Sequence, residues 1–359
     1  MNKIRLIAFY LPQYHPIKEN DEWWGKGFTE WTNVAKAKPL FKGHYQPHLP
    51  ADLGYYDLRI PEVREAQAEI AREYGIEGFC YYHYWFGNGK RLLERPFNEV
   101  VQSGKPNFPF CLCWANDSWT GIWHGAPNRT LIEQEYPGKE DYVAHFYSVL
   151  DAFRDPRYMT VNGQKIFMIY WPQAFTDVLY FTKLWRELAE KEGLNGIHFI
   201  AHATKDNPEK YGCDACIENA PFVSMPQASG SFFDKVLSKI DKFILKGNIK
   251  PTLRSYAAFV DYLRNKSLSA TEYPLVIPNW DNTPRSGSNG WVLHGSTPVL
   301  FKEMLQNKIN QIIRKSNTDS RIIFIKAWNE WAEGNYLEPD RKYGHEYLQV
   351  VKECIENIV

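Results

Sequence analysis

The sequence predicts an α/β protein of the (β/α)8 TIM-barrel class, and three observations carry that expectation. Eight short apolar runs recur, at residues 4–10, 78–84, 108–114, 165–171, 197–203, 215–218, 275–280 and 322–328. Most are continuously apolar rather than alternating, as expected for parallel strands covered on both faces. Between most of them lies a segment of helical period, so the chain reads strand, loop, helix. A doubly wound open sheet is the alternative, but no glycine-rich phosphate loop follows the first run.

The elements follow in order. In residues 60–74, Ile60, Val63, Ala66, Ile70 and Tyr74 fall near one helical face, and Pro61 suits a first turn. Helical patterns also fit residues 92–102, 142–153, 178–192, 256–265, 299–314 and 346–358. The fifth connection, at residues 207–211, has room only for a turn. Two insertions break the alternation, residues 11–59 and 221–253, giving long loops after strands 1 and 6. Loops of that length in compact domains serve as lids or binding walls. With no linker, repeat or low-complexity tract, residues 1–359 are expected to form one domain.

Composition removes several function classes. Forty-two basic residues balance 42 acidic ones, so no net basic face is available to displace counterions from nucleic acid. No apolar run reaches the roughly 20 residues of a membrane helix. Six scattered cysteines and no visible export signal suit a reducing compartment, so a cytoplasmic location is expected. Cys111 and Cys113 share a strand face and are expected in the core. Cys213-x-x-Cys216 has no second ligand pair, and the first strand has no His-x-His pair, so no metal and no cofactor are assigned. The sugar, the linkage and the oligomeric state are not legible.

In a parallel barrel, function collects where the strands end. Those ends supply Tyr10, Tyr14, His83, Trp85, Trp114, Asn116, Asp117, Tyr170, Trp171, His202, Glu218, Asn219, Asn279, Trp280, Asn329 and Trp331, and the first insertion adds Trp31. These are the substrate-binding candidates. Of 13 tryptophans only Trp185 falls on an expected outer helix, so the set is concentrated near one mouth. Flat aromatic faces beside amides and carboxylates suit a ligand with C–H faces and a hydroxyl rim, which makes a glycan the expected substrate. Trp31, Trp85, Trp114, Trp171 and Trp280 are expected to approach one cleft.

The sharpest local signal is Trp328-Asn329-Glu330-Trp331-Ala332-Glu333-Gly334. Carboxylates three residues apart point to opposite faces of a strand, so the chain must bend near Glu330 for both to share a pocket. Two such groups can divide the proton transfers of glycoside cleavage, which makes Glu330 and Glu333 the catalytic candidates.

With these residues in view, the chain resembles the WbsX-type, glycoside hydrolase family 99-like proteins, nearly end to end. The supporting motifs are Ala8-Phe9-Tyr10-Leu11-Pro12-Gln13-Tyr14-His15, Gly25-Lys26-Gly27-Phe28-Thr29-Glu30-Trp31-Thr32-Asn33-Val34, Cys113-Trp114-Ala115-Asn116 and the run from Trp328 to Gly334. The resemblance implies a barrel with retaining, endo-acting chemistry on α-mannoside-like linkages of a bacterial polysaccharide. It implies that Glu330 takes the proton of the substrate 2-hydroxyl, giving a 1,2-anhydro sugar, and that Glu333 is the acid/base. Proteins of this branch are often labelled glycosyltransferases, so transfer in lipopolysaccharide O-antigen or capsule assembly is the alternative. A non-catalytic glycan-binding protein is the second alternative.

Overall fold

The computed structural model describes residues 4–121, 126–219, 250–315 and 317–358. Nine short parallel strands form the barrel: β1 (Arg5–Tyr10), β2 (Gly78–Trp85), β3 (Phe110–Trp114), β4 (Gln164–Ile169), β5 (Ile197–Ala201), β6 (Ala215–Ile217), β7 (Glu272–Tyr273), β8 (Leu275–Val276) and β9 (Ile322–Ile325). Their order is β7-β6-β5-β4-β3-β2-β1-β9-β8. Only Pro274 separates β7 from β8, so the two are halves of one strand. Carbonyls of Thr271 and Tyr273 accept from β6 and the residue after it, while those of Pro274 and Val276 accept from Phe324 and Lys326. Proline lacks an N–H but keeps its carbonyl, and the ring closes through that break. The expected seventh run therefore starts earlier, at Glu272, and ends at Val276 rather than at Trp280.

The helical returns are α3 (Pro61–Glu73), α4 (Arg95–Ser103), α5 (Lys139–Arg154), α6 (Val178–Lys191), α7 (Tyr256–Asn265), α9 (Pro298–Ile312) and α10 (Glu346–Glu356). The fifth return is a single 3-10 turn, Pro208–Tyr211, as its length requires. The first insertion folds into two short helices, α1 (Lys18–Trp24) and α2 (Glu30–Lys36), the second opened by a Thr29–Thr32 capping box. A four-residue helix, α8 (Thr283–Ser286), follows β8. Most of the second insertion lies outside the described residues.

Every residue of β1, β2, β3, β5 and β9 is buried, because one face packs in the barrel and the other against helices. Side chains alternate between those faces. On β1, Phe9 points inward, with its ring 5.5 Å from Tyr82 and 5.8 Å from Phe324. Tyr10 points outward and donates to Gln67 of α3 at 2.6 Å. On β2, Tyr81 packs outward on Phe97 of α4, 5.2 Å away, while Tyr82 and Tyr84 face the mouth. No described helix is long and apolar enough to cross a membrane.

Candidate active site

The bend expected near Glu330 is present. Beyond β9, Asn329–Glu330 pairs antiparallel with Asn335–Tyr336, and a 3-10 turn, Trp331–Glu333, joins them. In that geometry residues three apart eclipse one another, which brings Glu330 and Glu333 to one side. Both line a cavity of about 350 Å³ at the carboxyl ends of the strands. Neighbouring residues clamp the turn. Asn329 grips the Leu11 backbone, accepting from its N–H at 2.7 Å and donating to its carbonyl at 3.1 Å. The Tyr14 hydroxyl donates to the Asn329 carbonyl and accepts from the Trp331 N–H at 3.2 Å.

Gly334 ends the turn in the left-handed region, at φ 56°, and a Cβ there would lie 2.8 Å from the Asp281 Cβ. The Asp281 N–H donates to the Glu333 carbonyl at 2.6 Å, so the close approach is part of how the turn is held. Gly334→Ala is therefore expected to cost more than about 1 kcal/mol. Denaturant unfolding checks this; an unchanged midpoint would show that the turn yields freely.

Charge in the cavity is arranged in two linked sets. Arg285, on α8, donates from Nη1 to Glu333 Oε1 at 2.5 Å and from Nε to Glu30 Oε1 at 2.9 Å. Burial works against its charge, yet the two carboxylates hold it more firmly protonated than a free guanidinium. In the second set, Lys326 Nζ lies 3.8 Å from Glu330 Oε2 and 3.3 Å from the hydroxyls of Tyr82 and Tyr170. Tyr82 also donates to Glu330 Oε2 at 3.4 Å. Burial pushes the Glu330 carboxyl up to about 7, with Lys326 opposing and Glu333 adding to the shift. Burial disfavours charge on Lys326 as well, but Tyr170 and the two glutamates outweigh it and raise its pKa.

A third carboxylate supports the turn from behind. Glu338 accepts from Tyr56 at 2.8 Å, Gln67 at 2.6 Å and the Trp331 indole at 2.6 Å. Burial lifts its carboxyl to about 7 although those hydrogen bonds oppose the shift.

Of the substrate-binding candidates, Asp117, Tyr170, Trp171 and Trp280 line the cavity. The others do not. Tyr10, His83, Trp85 and Trp114 project from the outer strand face: His83 meets His145 of α5 at 2.8 Å, Trp85 donates to Asp141 at 2.9 Å, and the Trp114 indole donates to the Trp85 carbonyl at 2.9 Å. Trp31 donates to the Tyr56 carbonyl at 2.8 Å, and Trp331 stacks on Tyr336 at 3.8 Å. Tyr14 and Asn329 clamp the turn, and Asn116 accepts from the Trp171 N–H at 2.7 Å, which sets that residue's position. His202 lies beneath Tyr170, stacked at 4.3 Å. Glu218 is buried in an ion pair with Lys308 at 2.7 Å, and the Asn219 carbonyl accepts from Lys266 at 2.9 Å. Asn279 accepts from the Trp280 N–H at 2.9 Å. The expected convergence of five tryptophans is thus corrected: Trp171 and Trp280 reach the cleft, joined by Trp24, Trp119 and Trp291.

Glu30, Tyr82, Tyr84, Arg285 and Lys326 line the cavity without having been singled out. Lys326 had a readable signal, a lysine inside an apolar run four residues before Glu330. Glu30 lay inside a quoted motif. Arg285 had none, since its partners are 255 and 48 residues away. All six cysteines are buried and free.

A model of the family described as "Glycosyltransferase WbsX" matches residues 6–351. The chain belongs to the WbsX family. Over 366 residues this WbsX chain is 37% identical to "Uncharacterized protein WxcX" of Xanthomonas campestris pv. campestris strain B100, covering 98% of the chain and 49% of that protein. A second strain's protein of the same description is 37% identical over 354 residues with the same coverage. The WbsX chain therefore spans about half the length of the curated relatives it matches. Among solved structures it is similar to a "Glycoside hydrolase-like protein", with a TM-score of 0.56 at 14% identity over 98% of this chain and 94% of that one. It is also similar to the family 99 endo-α-mannosidase of Bacteroides thetaiotaomicron, with a TM-score of 0.54 at 14% identity over 98% and 96%. At that identity the likeness is one of fold, and it agrees with the barrel described above. The family's description is that of a glycosyltransferase, and the two structural likenesses add the barrel fold to it.

Proposed function

We propose that the chain is a retaining, endo-acting glycoside hydrolase or transglycosylase on α-mannoside-like linkages of a bacterial polysaccharide. The observation that carries this reading is the placement of Glu330 and Glu333 on one side of a cavity walled by Trp24, Trp119, Trp171, Trp280 and Trp291. Glu330 takes the proton from the sugar 2-hydroxyl as O2 attacks C1, and Glu333 gives a proton to the departing glycosidic oxygen as the C1–O bond breaks. Water then opens the 1,2-anhydro ring at C1, losing its proton to Glu333, while O2 recovers one from Glu330. Two inversions at C1 leave its configuration retained. Product analysis by NMR on α-linked manno-oligosaccharides tests this: inverted product, or none, sinks it.

The elevated Glu330 carboxyl suits a base working near neutrality. As a base Glu330 must be ionised, so kcat/KM is expected to rise with pH through about 7. A fall across the same range would make Glu330 the acid and reverse the two roles.

A second reading, glycosyl transfer in polysaccharide assembly, is favoured by the family's description. Consumption of a nucleotide sugar in the presence of an acceptor, with no hydrolysis of glycans, would select it.

A further inference from the structure

The first insertion presents to the cleft an amide that the fold leaves unused. Asn20 is the buried residue of α1, fully enclosed, and it lines the cavity. Neither its Nδ2 nor its Oδ1 has a hydrogen-bond partner. Asn33 of α2 lines the same cavity; its Nδ2 donates to Glu30 Oε1 at 3.2 Å, and its Oδ1 has no partner. Buried polar atoms are almost always satisfied, and leaving them unmade costs stability. Two side chains in that condition, both lining one cavity, point to a ligand that completes them.

We propose that Asn20 and Asn33 form an uncharged subsite on the Glu333 side of the cleft, which binds the sugar ring of the leaving group through its hydroxyls. The unused atoms are one amide donor and two carbonyl acceptors. Hydroxyl groups both donate and accept, so they satisfy all three. A carboxylate or phosphate would face two carbonyl acceptors and the Glu30 carboxylate, while Arg285 is already paired with Glu30 and Glu333.

The side of the cleft follows from the hydrogen-bond chain. Asn33 is joined to Glu30, Glu30 to Arg285 at 2.9 Å, and Arg285 to Glu333 at 2.5 Å. Glu330 instead faces Tyr82 and Lys326. A ring held by Asn20 and Asn33 therefore lies beside the glutamate assigned to the departing oxygen. This placement rests on the hydrolase reading, but binding is measured without turnover, so the two fail separately.

Wild type and Asn20→Leu are compared by calorimetry, each carrying Glu330→Gln so that no probe is cleaved, with α-linked manno-oligosaccharides of two to four rings as probes. The variant is expected to weaken the best of these by about tenfold or more, the equivalent of one to two lost hydrogen bonds. Its Tm should equal or exceed that of wild type, since leucine fills a similar volume without an orphaned amide, whereas a purely structural amide would lower Tm on removal. With Glu330 retained, the ratio of oligosaccharide turnover to α-mannosyl fluoride turnover should also fall about tenfold or more, because fluoride brings no ring to the subsite. Weakened binding in a protein that turns over neither probe supports the subsite and removes the hydrolase reading. Equal affinity in both proteins, a lowered Tm, losses shared equally by fluoride and oligosaccharide, or a wild type that binds none of the probes overturns the proposal.

Discussion

Glu330→Gln is expected to lower kcat by about 10²–10⁴-fold while leaving the fold intact. The exchange keeps the shape of the side chain and removes the group proposed to move the proton. It also removes an acid that burial makes reluctant to ionise. The Glu330 carboxyl titrates at about 7 in the folded protein, against about 4.3 in an unfolded chain. An acid with a raised folded-state pKa contributes stability that is fully present below the unfolded value and is lost as pH rises through the folded one. The wild type should therefore lose stability relative to Glu330→Gln between about pH 4 and 8. Urea unfolding of both proteins at pH 5 and pH 8 reads this directly. A gap that moves in favour of wild type at the higher pH would show that Lys326 dominates the pair. Glu333→Gln is expected to be impaired on the same scale, and unchanged turnover in both variants would remove the catalytic assignment.

Arg285→Met is expected to destabilise the protein by about 3–5 kcal/mol at neutral pH, the typical cost of removing one partner from a buried ion pair. Glu30 is 2% exposed, and without Arg285 it and Glu333 would share a dry wall with no cation between them. Adding Glu30→Gln should recover part of the lost stability at pH 7. Arg285→Lys is not expected to rescue, because one ammonium cannot reproduce the two-armed contact from Nη1 and Nε. Chemical denaturation of the three variants at pH 7 checks each statement; a single variant as stable as wild type would mean that the two carboxylates find other partners.

Much of this was legible in the residues. Continuous apolar runs located the strands because a strand buried on both faces admits no polar alternation. A long, Trp-rich segment after β1 announced a wall of the cleft, and the spacing of Glu330 and Glu333 required the bend that the 3-10 turn supplies. The same double burial hid the facing of β2. When both faces are apolar, nothing in Gly-Phe-Cys-Tyr-Tyr-His-Tyr-Trp says which alternate set points inward, and His83 and Trp85 turn out while Tyr82 and Tyr84 turn in.

The sequence by itself determined the barrel class, the positions of all the expected strands but the seventh, and the glutamate pair at the end of β9. Each of these is set by local pattern, period and spacing along a single stretch of chain. Tertiary structure alone decided the inward set of aromatics, the bridging of Glu30 and Glu333 by Arg285, and the enclosure of Asn20 beside the cleft. Those features depend on which face closes the ring and on contacts between segments up to 255 residues apart. Neither quantity has a local signature, because packing in three dimensions, not neighbouring residues, sets the free energy that selects it.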